Sequence, residues 1–148
     1  MFKLPPDRKS YFYKSVEVRE SSIHGLGVFA TEDIPVHTCF EISPVIIFSR
    51  SLMQDWLDMY EERHMLNDYL FQSYDKQHAV VLGFGSVYNH SAFPNALYRW
   101  RECEKFPAME FWSKKPIAKN EEIFVKYTHY SDTLEFMDEK ESQYLGVK

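Results

Sequence analysis

The chain has 148 residues, 17% of them aromatic, and its 17 Lys plus Arg against 22 Asp plus Glu give a formal charge of −5 at pH 7. This length is typical of one domain with its own hydrophobic core. The negative charge disfavours direct nucleic-acid binding, because an acidic protein gains nothing from counterion release at phosphates. The same charge favours encounters with Lys- and Arg-rich proteins.

Short β-type runs follow one another along the chain. Residues 16–19 alternate between apolar and polar side chains, and residues 45–48 are apolar throughout, as in a buried strand. Further strands are predicted at residues 69–71, 79–82, 96–101, 109–112 and 123–127, with a turn at 74–77.

Two segments have helical features. The first has apolar residues at helical spacing behind an N-cap serine, namely Ser51, Leu52, Trp56, Met59 and Tyr60. The second would follow Asp132, whose carboxylate and that of Glu135 resemble a capping box. Many short strands with one inserted helix and one tail helix predict a β-rich α+β fold.

The cysteines, the histidines and the apolar runs bear on location and metal content. Cys39 and Cys103 are too few and too far apart for a disulfide framework or a thiolate site, so we expect reduced thiols. The six histidines show no zinc spacing. The first residues contain no apolar signal segment, and no run approaches the roughly 18 apolar residues of a membrane span. We therefore expect a soluble, unexported protein.

The first of three polar clusters is SIHGLGVFA at residues 22–30. Gly25 and Gly27 permit backbone conformations closed to other residues and let a ligand approach the main chain. The cluster is not a dinucleotide fingerprint, because the third glycine and the following helix are missing. A tight turn without any ligand also explains the two glycines.

The second cluster, residues 83–95, contains Asn89 and His90 ahead of a Pro-Asn turn. The amide of Asn89 offers donors and an acceptor, which suit a zwitterionic or amide-rich ligand. The alternative is that Asn89 and Asn95 stabilise local turns through Asx-type bonds.

The third cluster, NEEIFVKYTHY at 120–130, is a polar turn into a strand ending in tyrosines. Taken alone, Tyr127 would be core or interface material.

The order of the clusters is more specific than any one of them. HGxGVFA, then NHSxxPN, then xEEIxxxY makes the chain resemble the SET-domain protein-lysine methyltransferases over residues 16–130. The resemblance is closest to minimal bacterial and viral members that lack cysteine-rich flanking modules. It implies a single SET domain over residues 1–148 with a tail at 131–148. It also implies a location in the cytoplasm of a prokaryote, or in the host cell interior if the protein is viral.

The fold implied by the resemblance is a set of small curved sheets with an inserted helix and a C-terminal pseudoknot, a rare exception to unthreaded topology. S-adenosylmethionine would be the cofactor, S-adenosylhomocysteine the product, and no metal would take part. Asn89 would hold the amino acid end, the His90 main chain would meet the adenine, and Tyr127 would be catalytic. The residues implied at the cofactor are His24, Gly25, Leu26, Gly27, Asn89, His90, Tyr127 and Tyr130; those implied in the lysine channel are Tyr69, Tyr88 and Tyr127.

The implied reaction is an in-line methyl transfer from a sulfonium to a neutral lysine amine, so alignment supplies much of the catalysis. A free lysine, with a pKa of about 10.4, is protonated at neutral pH. An aromatic channel and the nearby sulfonium both disfavour its ammonium form. Tyr127 and backbone carbonyls would orient the amine and the methyl hydrogens through weak C–H···O contacts. The implied partner is a lysine-containing, basic protein substrate, with no direct contact to nucleic acid or membrane.

Three departures from the family pattern affect these expectations. Asn120 stands where a glycine is usual, and asparagine tolerates the left-handed conformation of such a turn. Lys126 replaces the acid that often precedes the catalytic tyrosine, which affects substrate preference. The cysteine-rich cover of the cleft is missing, and Tyr130 or Phe136 in the tail could replace it.

Two alternatives to a protein-lysine methyltransferase remain, and the departures motivate the first of them. The first is a catalytically inactive SET-like module that docks a partner protein. The second, methylation of a small amine or a nucleic acid, is disfavoured by the acidity of the chain and by the lysine-channel chemistry.

Overall fold

The computed structural model describes residues 11–49, 51–52, 55, 70–72, 77–101 and 107–126. Contacts divide the chain into two compact units, one formed by residues 1–45 and 81–126 and the other by residues 46–80 and 127–148. The strands are β1 (Phe12–Tyr13), β2 (Val16–Glu20), β3 (Leu26–Ala30), β4 (Cys39–Phe48), β5 (Leu70–Gln72), β6 (His78–Val81), β7 (Asn89–His90), β8 (Ala96–Arg101), β9 (Ala108–Ser113) and β10 (Glu122–Val125). The predicted fold class, mostly β in small sheets, is confirmed.

In the first unit, one sheet is built around β9, which lies between β4 and β8 and pairs antiparallel with both. All six residues of β9 are buried, which explains why the strand is mostly apolar rather than alternating. The start of β4 also pairs antiparallel with β1, with Phe12 opposite Ile42.

The second sheet of this unit has the order β2-β3-β10-β7. β2 and β3 form an antiparallel hairpin in which Glu20 lies opposite Leu26. β10 then pairs antiparallel with β3 and parallel with β7. The core here consists of small and branched apolar side chains that are almost fully buried, among them Val28, Ala30, Ile34, Ile117, Ile123 and Val125.

Three aromatic rings fill the core beside the first sheet. Tyr88 stacks on Phe111 with ring centroids 4.6 Å apart, and Phe40 meets Tyr88 edge-on at 6.0 Å. All three side chains are almost completely buried. Burial of each ring contributes on the order of 2–3 kcal/mol to folding, and the stacked pair adds about 1 kcal/mol.

A buried carboxylate on β9 is neutralised by two arginines of β8. Glu110 is 1% exposed and accepts hydrogen bonds from Arg99 Nε and Arg101 Nε, each at 3.0 Å. The indole nitrogen of Trp112 donates a third bond at 2.9 Å. The Arg99 guanidinium also lies 5.7 Å from the centroid of the Trp112 ring, a cation–π distance. These donors compensate the desolvation of the carboxylate.

In the second unit, β5 and β6 form an antiparallel pair with Gln72 opposite His78. The end of β4 belongs to this unit, and Phe48 lies 6.0 Å from the His78 ring. Ser51, Leu52 and Asp55 have helical conformation, as the first predicted helix requires. The remaining residues that predict this helix, Trp56, Met59 and Tyr60, and the helix after Asp132 lie outside the described residues.

The strand predictions for residues 16–19, 96–101 and 109–112 are confirmed to within a residue or two at each end. Those for 69–71, 79–82 and 123–127 are confirmed at residues 70–71, 79–81 and 123–125, whereas Leu82 lies in a turn and Lys126 lies outside the strand. The prediction that residues 45–48 form a buried strand is wrong for two of its residues, because Ile46 is 54% exposed and Ile47 is 39% exposed. The buried part of β4 is residues 40–43 together with Val45. Glu41 and Ser43 can be buried there because their side chains are hydrogen-bonded to each other. The single-domain prediction stays a prediction.

Candidate active site

The parallel pairing of β7 with β10 brings two of the three polar clusters together. Asn89 lies opposite Phe124, His90 lies opposite Val125, and Ser91 N donates to Val125 O at 3.1 Å. On its other side β10 pairs with β3, with Ile123 opposite Val28. Residues from all three clusters are therefore neighbours on one small sheet.

The first cluster forms the turn between β2 and β3. Ser21 N donates to Gly25 O at 2.8 Å, and the Ser21 hydroxyl accepts from Ile23 N at 3.0 Å. Gly25 has a φ of +48°, in the left-handed region that favours glycine. His24, Gly25 and Leu26 are exposed, and Leu26 retains 59% of its accessible surface. The turn is tight, and its main chain is open to a ligand.

The amide of Asn89 has its orientation fixed by three acceptors. Its Nδ2 donates to Glu122 Oε1 at 2.8 Å, to Leu26 O at 3.0 Å and to His24 O at 3.3 Å. These acceptors assign the nitrogen to the inner side, because a carbonyl oxygen there would face only other oxygens. Among the described residues no group donates to Asn89 Oδ1. The amide therefore presents an acceptor to whatever binds beside the turn.

Asn95 has a different role from the local turn that was the alternative for both asparagines. Its Oδ1 accepts from Phe124 N at 2.8 Å, and its Nδ2 donates to Glu122 O at 2.8 Å. Both partners lie on β10. Asn95 thus ties the loop after β7 to β10, and the Asx-turn alternative is wrong for Asn95.

Glu122 is a site residue whose role sequence reasoning missed. It is 9% exposed, and its carboxylate accepts from Asn89 Nδ2 and from the Ser21 hydroxyl, which lies 2.9 Å from each oxygen. A Cβ on Gly27 would lie 2.9 Å from Glu122 Cδ and 3.1 Å from Asn89 Nδ2, so the glycine permits this approach. The only available signal was an acid at the start of a buried strand.

The turn before β10 confirms the expectation for Asn120, which has a φ of +69°. Arg19 Nη2 donates to Asn120 Oδ1 at 3.0 Å, which ties the turn to β2. Glu121 caps the same turn, because its carboxylate accepts from Ala118 N at 2.9 Å. The asparagine keeps the turn geometry in place of the usual glycine.

Tyr88 lies in the core, 1% exposed, with its hydroxyl donating to the carboxylate of Glu41. Burial and the neighbouring carboxylate both raise the pKa of Tyr88 above its ordinary value. Burial likewise raises the pKa of Glu41, although hydrogen bonds from Ser43 and Tyr88 act in the opposite direction. Sequence reasoning missed Glu41, because its partners are distant in the chain. The channel role of Tyr88 stays a prediction.

The remaining predicted site residues are His90, which is exposed at the end of β7, and three tyrosines. Tyr69, Tyr127 and Tyr130 lie outside the described residues, so their roles stay predictions. Within residues 11–49, 77–101 and 107–126 and the short described segments, no three His, Cys, Asp or Glu side chains are grouped to hold a metal ion. No helix in the same part of the chain is long and apolar enough to cross a membrane.

The SET-domain family model matches residues 25–128, which is most of the chain. The chain belongs to the SET-domain family. A curated relative from Schizosaccharomyces pombe, the "Histone-lysine N-methyltransferase, H3 lysine-37 specific", is 33% identical over 127 residues, which cover 86% of this chain and 80% of the relative.

Among solved structures, the SET-domain chain is similar to a Plasmodium falciparum protein provisionally assigned as a histone methyltransferase. The TM-score is 0.63 at 30% identity, and the match covers 80% of this chain and 96% of that one. Together with the family match, these relatives identify the SET-domain chain as a protein-lysine N-methyltransferase with a lysine-containing protein substrate.

Proposed function

We propose that this SET-domain protein uses S-adenosylmethionine to methylate a lysine of a histone. The observation that supports the cofactor is the oriented amide of Asn89 beside an exposed glycine turn. The observation that supports the substrate class is the 33% identity to a histone-lysine methyltransferase over most of the chain.

The methionine end of the cofactor is a zwitterion, and the site offers partners for its ammonium group. Asn89 Oδ1 is a free acceptor among the described residues, and it lies beside the exposed main chain of residues 24–26. An ammonium group needs such acceptors, and main-chain carbonyls next to the amide can supply others. The exposed His90 would offer its main chain to the adenine. The residues present therefore fit the cofactor.

When bound, the cofactor supplies an electrophilic methyl group. The protein's part is to align the acceptor amine with that group, since alignment alone can be worth several kcal/mol of barrier. The hydroxyl of Tyr127 would orient the amine, and the aromatic residues Tyr69 and Tyr127 would favour its neutral form by desolvation. A lysine of pKa about 10.4 must lose its proton before it can attack.

The histone proposal agrees with the charge of the chain. At −5 the protein as a whole attracts Lys- and Arg-rich segments, whereas Lys126, which stands in place of the usual acid in front of Tyr127, opposes that attraction locally. Because the relative is named for lysine 37 of histone H3, that histone is the first substrate to test.

The test is incubation with methyl-labelled S-adenosylmethionine and either histone H3 or the same histone with its lysine 37 changed to arginine. We expect label on the first and about tenfold less on the second. Tyr127→Phe should abolish transfer while calorimetry shows unchanged cofactor binding, and Tyr13→Phe, at a tyrosine that is 64% exposed, is the matched control. Cofactor binding without methyl transfer to any histone would contradict the proposal that a histone is the substrate. Absence of cofactor binding would favour the inactive docking module.

A further inference from the structure

The carboxylate of Glu41 is a second buried anchor close to the proposed cofactor site. It accepts hydrogen bonds from the hydroxyls of Ser43 and Tyr88 and from Phe84 N, the last at 2.9 Å. The backbone of Gly85 contributes a further bond. These donors come from β4, from the turn at 83–85 and from the residue before β7, so one carboxylate joins three segments.

The described donors around Glu41 are hydroxyls and main-chain amides rather than a cation. A carboxyl group that is 1% exposed would be costly without them, because burial strips it of water. The arrangement is therefore specific: removal of one donor leaves a buried acceptor unsatisfied, at a cost of about 1–3 kcal/mol.

The strand that follows Tyr88 is too short to hold itself in place. β7 consists of Asn89 and His90 alone, and its pairing with β10 provides few main-chain hydrogen bonds. Its position therefore depends on the side chains at its start. Asn89 is held by Glu122, and Tyr88, one residue earlier, is held by Glu41 and by the ring of Phe111.

We infer that Glu41 is a positioning residue for the cofactor site, acting through the Tyr88 hydroxyl to fix the Asn89 amide and the His90 main chain. This inference rests on the proposed function, since Asn89 and His90 are the groups offered to the cofactor. It gives Tyr88 a role in the core that differs from a wall of the lysine channel. Glu41 itself touches neither substrate nor cofactor.

The experiment compares two variants of this anchor with two matched controls on the same sheet. Tyr88→Phe removes the buried hydroxyl, and Ser113→Ala removes a buried hydroxyl that donates to Pro35 O at 2.6 Å. Glu41→Gln changes a buried carboxyl group of the anchor, and Glu110→Gln changes an equally buried one on β9. The side chain of Glu110 bonds β8 and Trp112, and that of Ser113 bonds the segment at 35–38, so these bonds do not involve β7.

Hydrogen exchange of the peptide covering residues 86–91, measured without cofactor, reads the position of β7 directly. We expect exchange of this peptide to be about tenfold faster than in the wild type in Tyr88→Phe and Glu41→Gln. The two control variants should exchange at the wild-type rate. Calorimetry should show an about tenfold rise in the Kd for S-adenosylmethionine for the two anchor variants alone, and Glu41→Gln should keep its kcat at saturating cofactor within about twofold.

Equal exchange in Tyr88→Phe and the wild type, or equal changes in anchor and control variants, would overturn the positioning role. Failure of the wild type to bind S-adenosylmethionine would instead contradict the proposed function, and the exchange data would still decide whether Glu41 holds β7. If Glu41→Gln does not fold, the milder Tyr88→Phe decides, because its ring remains able to stack on Phe111.

Discussion

Glu122 Oε1 accepts a hydrogen bond from Asn89 Nδ2 at 2.8 Å, across two neighbouring parallel strands. The two residues are 33 positions apart in the chain, yet the carboxylate decides which way the amide points. An amide reversed by loss of this bond would present a donor instead of an acceptor to an ammonium group.

Glu122→Gln should therefore raise the Kd for S-adenosylmethionine about tenfold, because a glutamine can place its own amide nitrogen against Asn89 Nδ2. Isothermal calorimetry measures the change. Glu121→Gln is the matched control, since Glu121 caps the turn and bonds Asn95 rather than Asn89. Equal losses in the two variants would contradict the orienting role of Glu122.

The close approach at Gly27 should appear as an energetic coupling to Glu122. Gly27→Ala places a methyl group against the carboxylate, and overpacking of this kind costs about 1–3 kcal/mol. In Glu122→Ala the obstacle is gone, so the double variant should lose about 1 kcal/mol less stability than the sum of the single ones.

Gly25→Ala is the control for this cycle, because a Cβ there meets nothing within 4 Å and pays only for its left-handed φ, about 1–2 kcal/mol. Its effect should add to that of Glu122→Ala within about 0.5 kcal/mol. Urea denaturation gives all of these values. Additive behaviour in the Gly27 cycle would show that the carboxylate moves aside freely.

The buried carboxyl group of Glu41 should make stability depend on pH. Burial raises its pKa above the ordinary value of 4.5, so the folded protein binds this proton more tightly than the unfolded chain. The resulting stability is fully present below the ordinary pKa and is lost as the pH rises through the raised one. The free energy of unfolding of the wild type, relative to Glu41→Gln, should thus fall as the pH rises above the ordinary pKa of 4.5. A difference that rises with pH would contradict this.

The thiol of Cys39 should be inert in the folded protein. Burial raises its pKa to about 12, and the nearby Glu110 carboxylate acts in the same direction. Compared with a thiol at the ordinary value of 9.0, the thiolate fraction at neutral pH falls about a thousandfold. In a Cys103→Ser background, alkylation of Cys39 by iodoacetamide should be about a thousandfold slower in buffer than in urea. Similar rates in both would show an open thiol.

Much of the sheet framework could be predicted, because residues 96–101 and 109–112 are typical β sequences. β7 could not, since two residues with an asparagine and a histidine have no periodicity, and their strand exists only by pairing with β10. The start of β3 could not be predicted as a strand either, because Gly27 suggests a turn. The glycine is required at this position because a Cβ would collide with the Glu122 carboxylate.

The predicted site was found in part by the order of its motifs and in part missed. Asn89 and the glycine turn do lie together. Glu41 and Glu122 could not be assigned, because the partners that make each carboxylate useful lie far away in the chain, at residues 84–88 for Glu41 and at residues 21 and 89 for Glu122. A lone acid in a strand gives no indication of such partners.

The position of β10 between β3 and β7 also bears on biosynthesis. Its residues 122–125 are among the last described ones to leave a ribosome, yet they separate and align strands made much earlier. A nascent chain that ends before residue 122 has the glycine turn and Asn89 but lacks both the strand that lies between β3 and β7 and the Glu122 carboxylate that orients the amide. The sheet that carries Asn89 and the glycine turn therefore waits for pairings of long sequence separation, which slow folding.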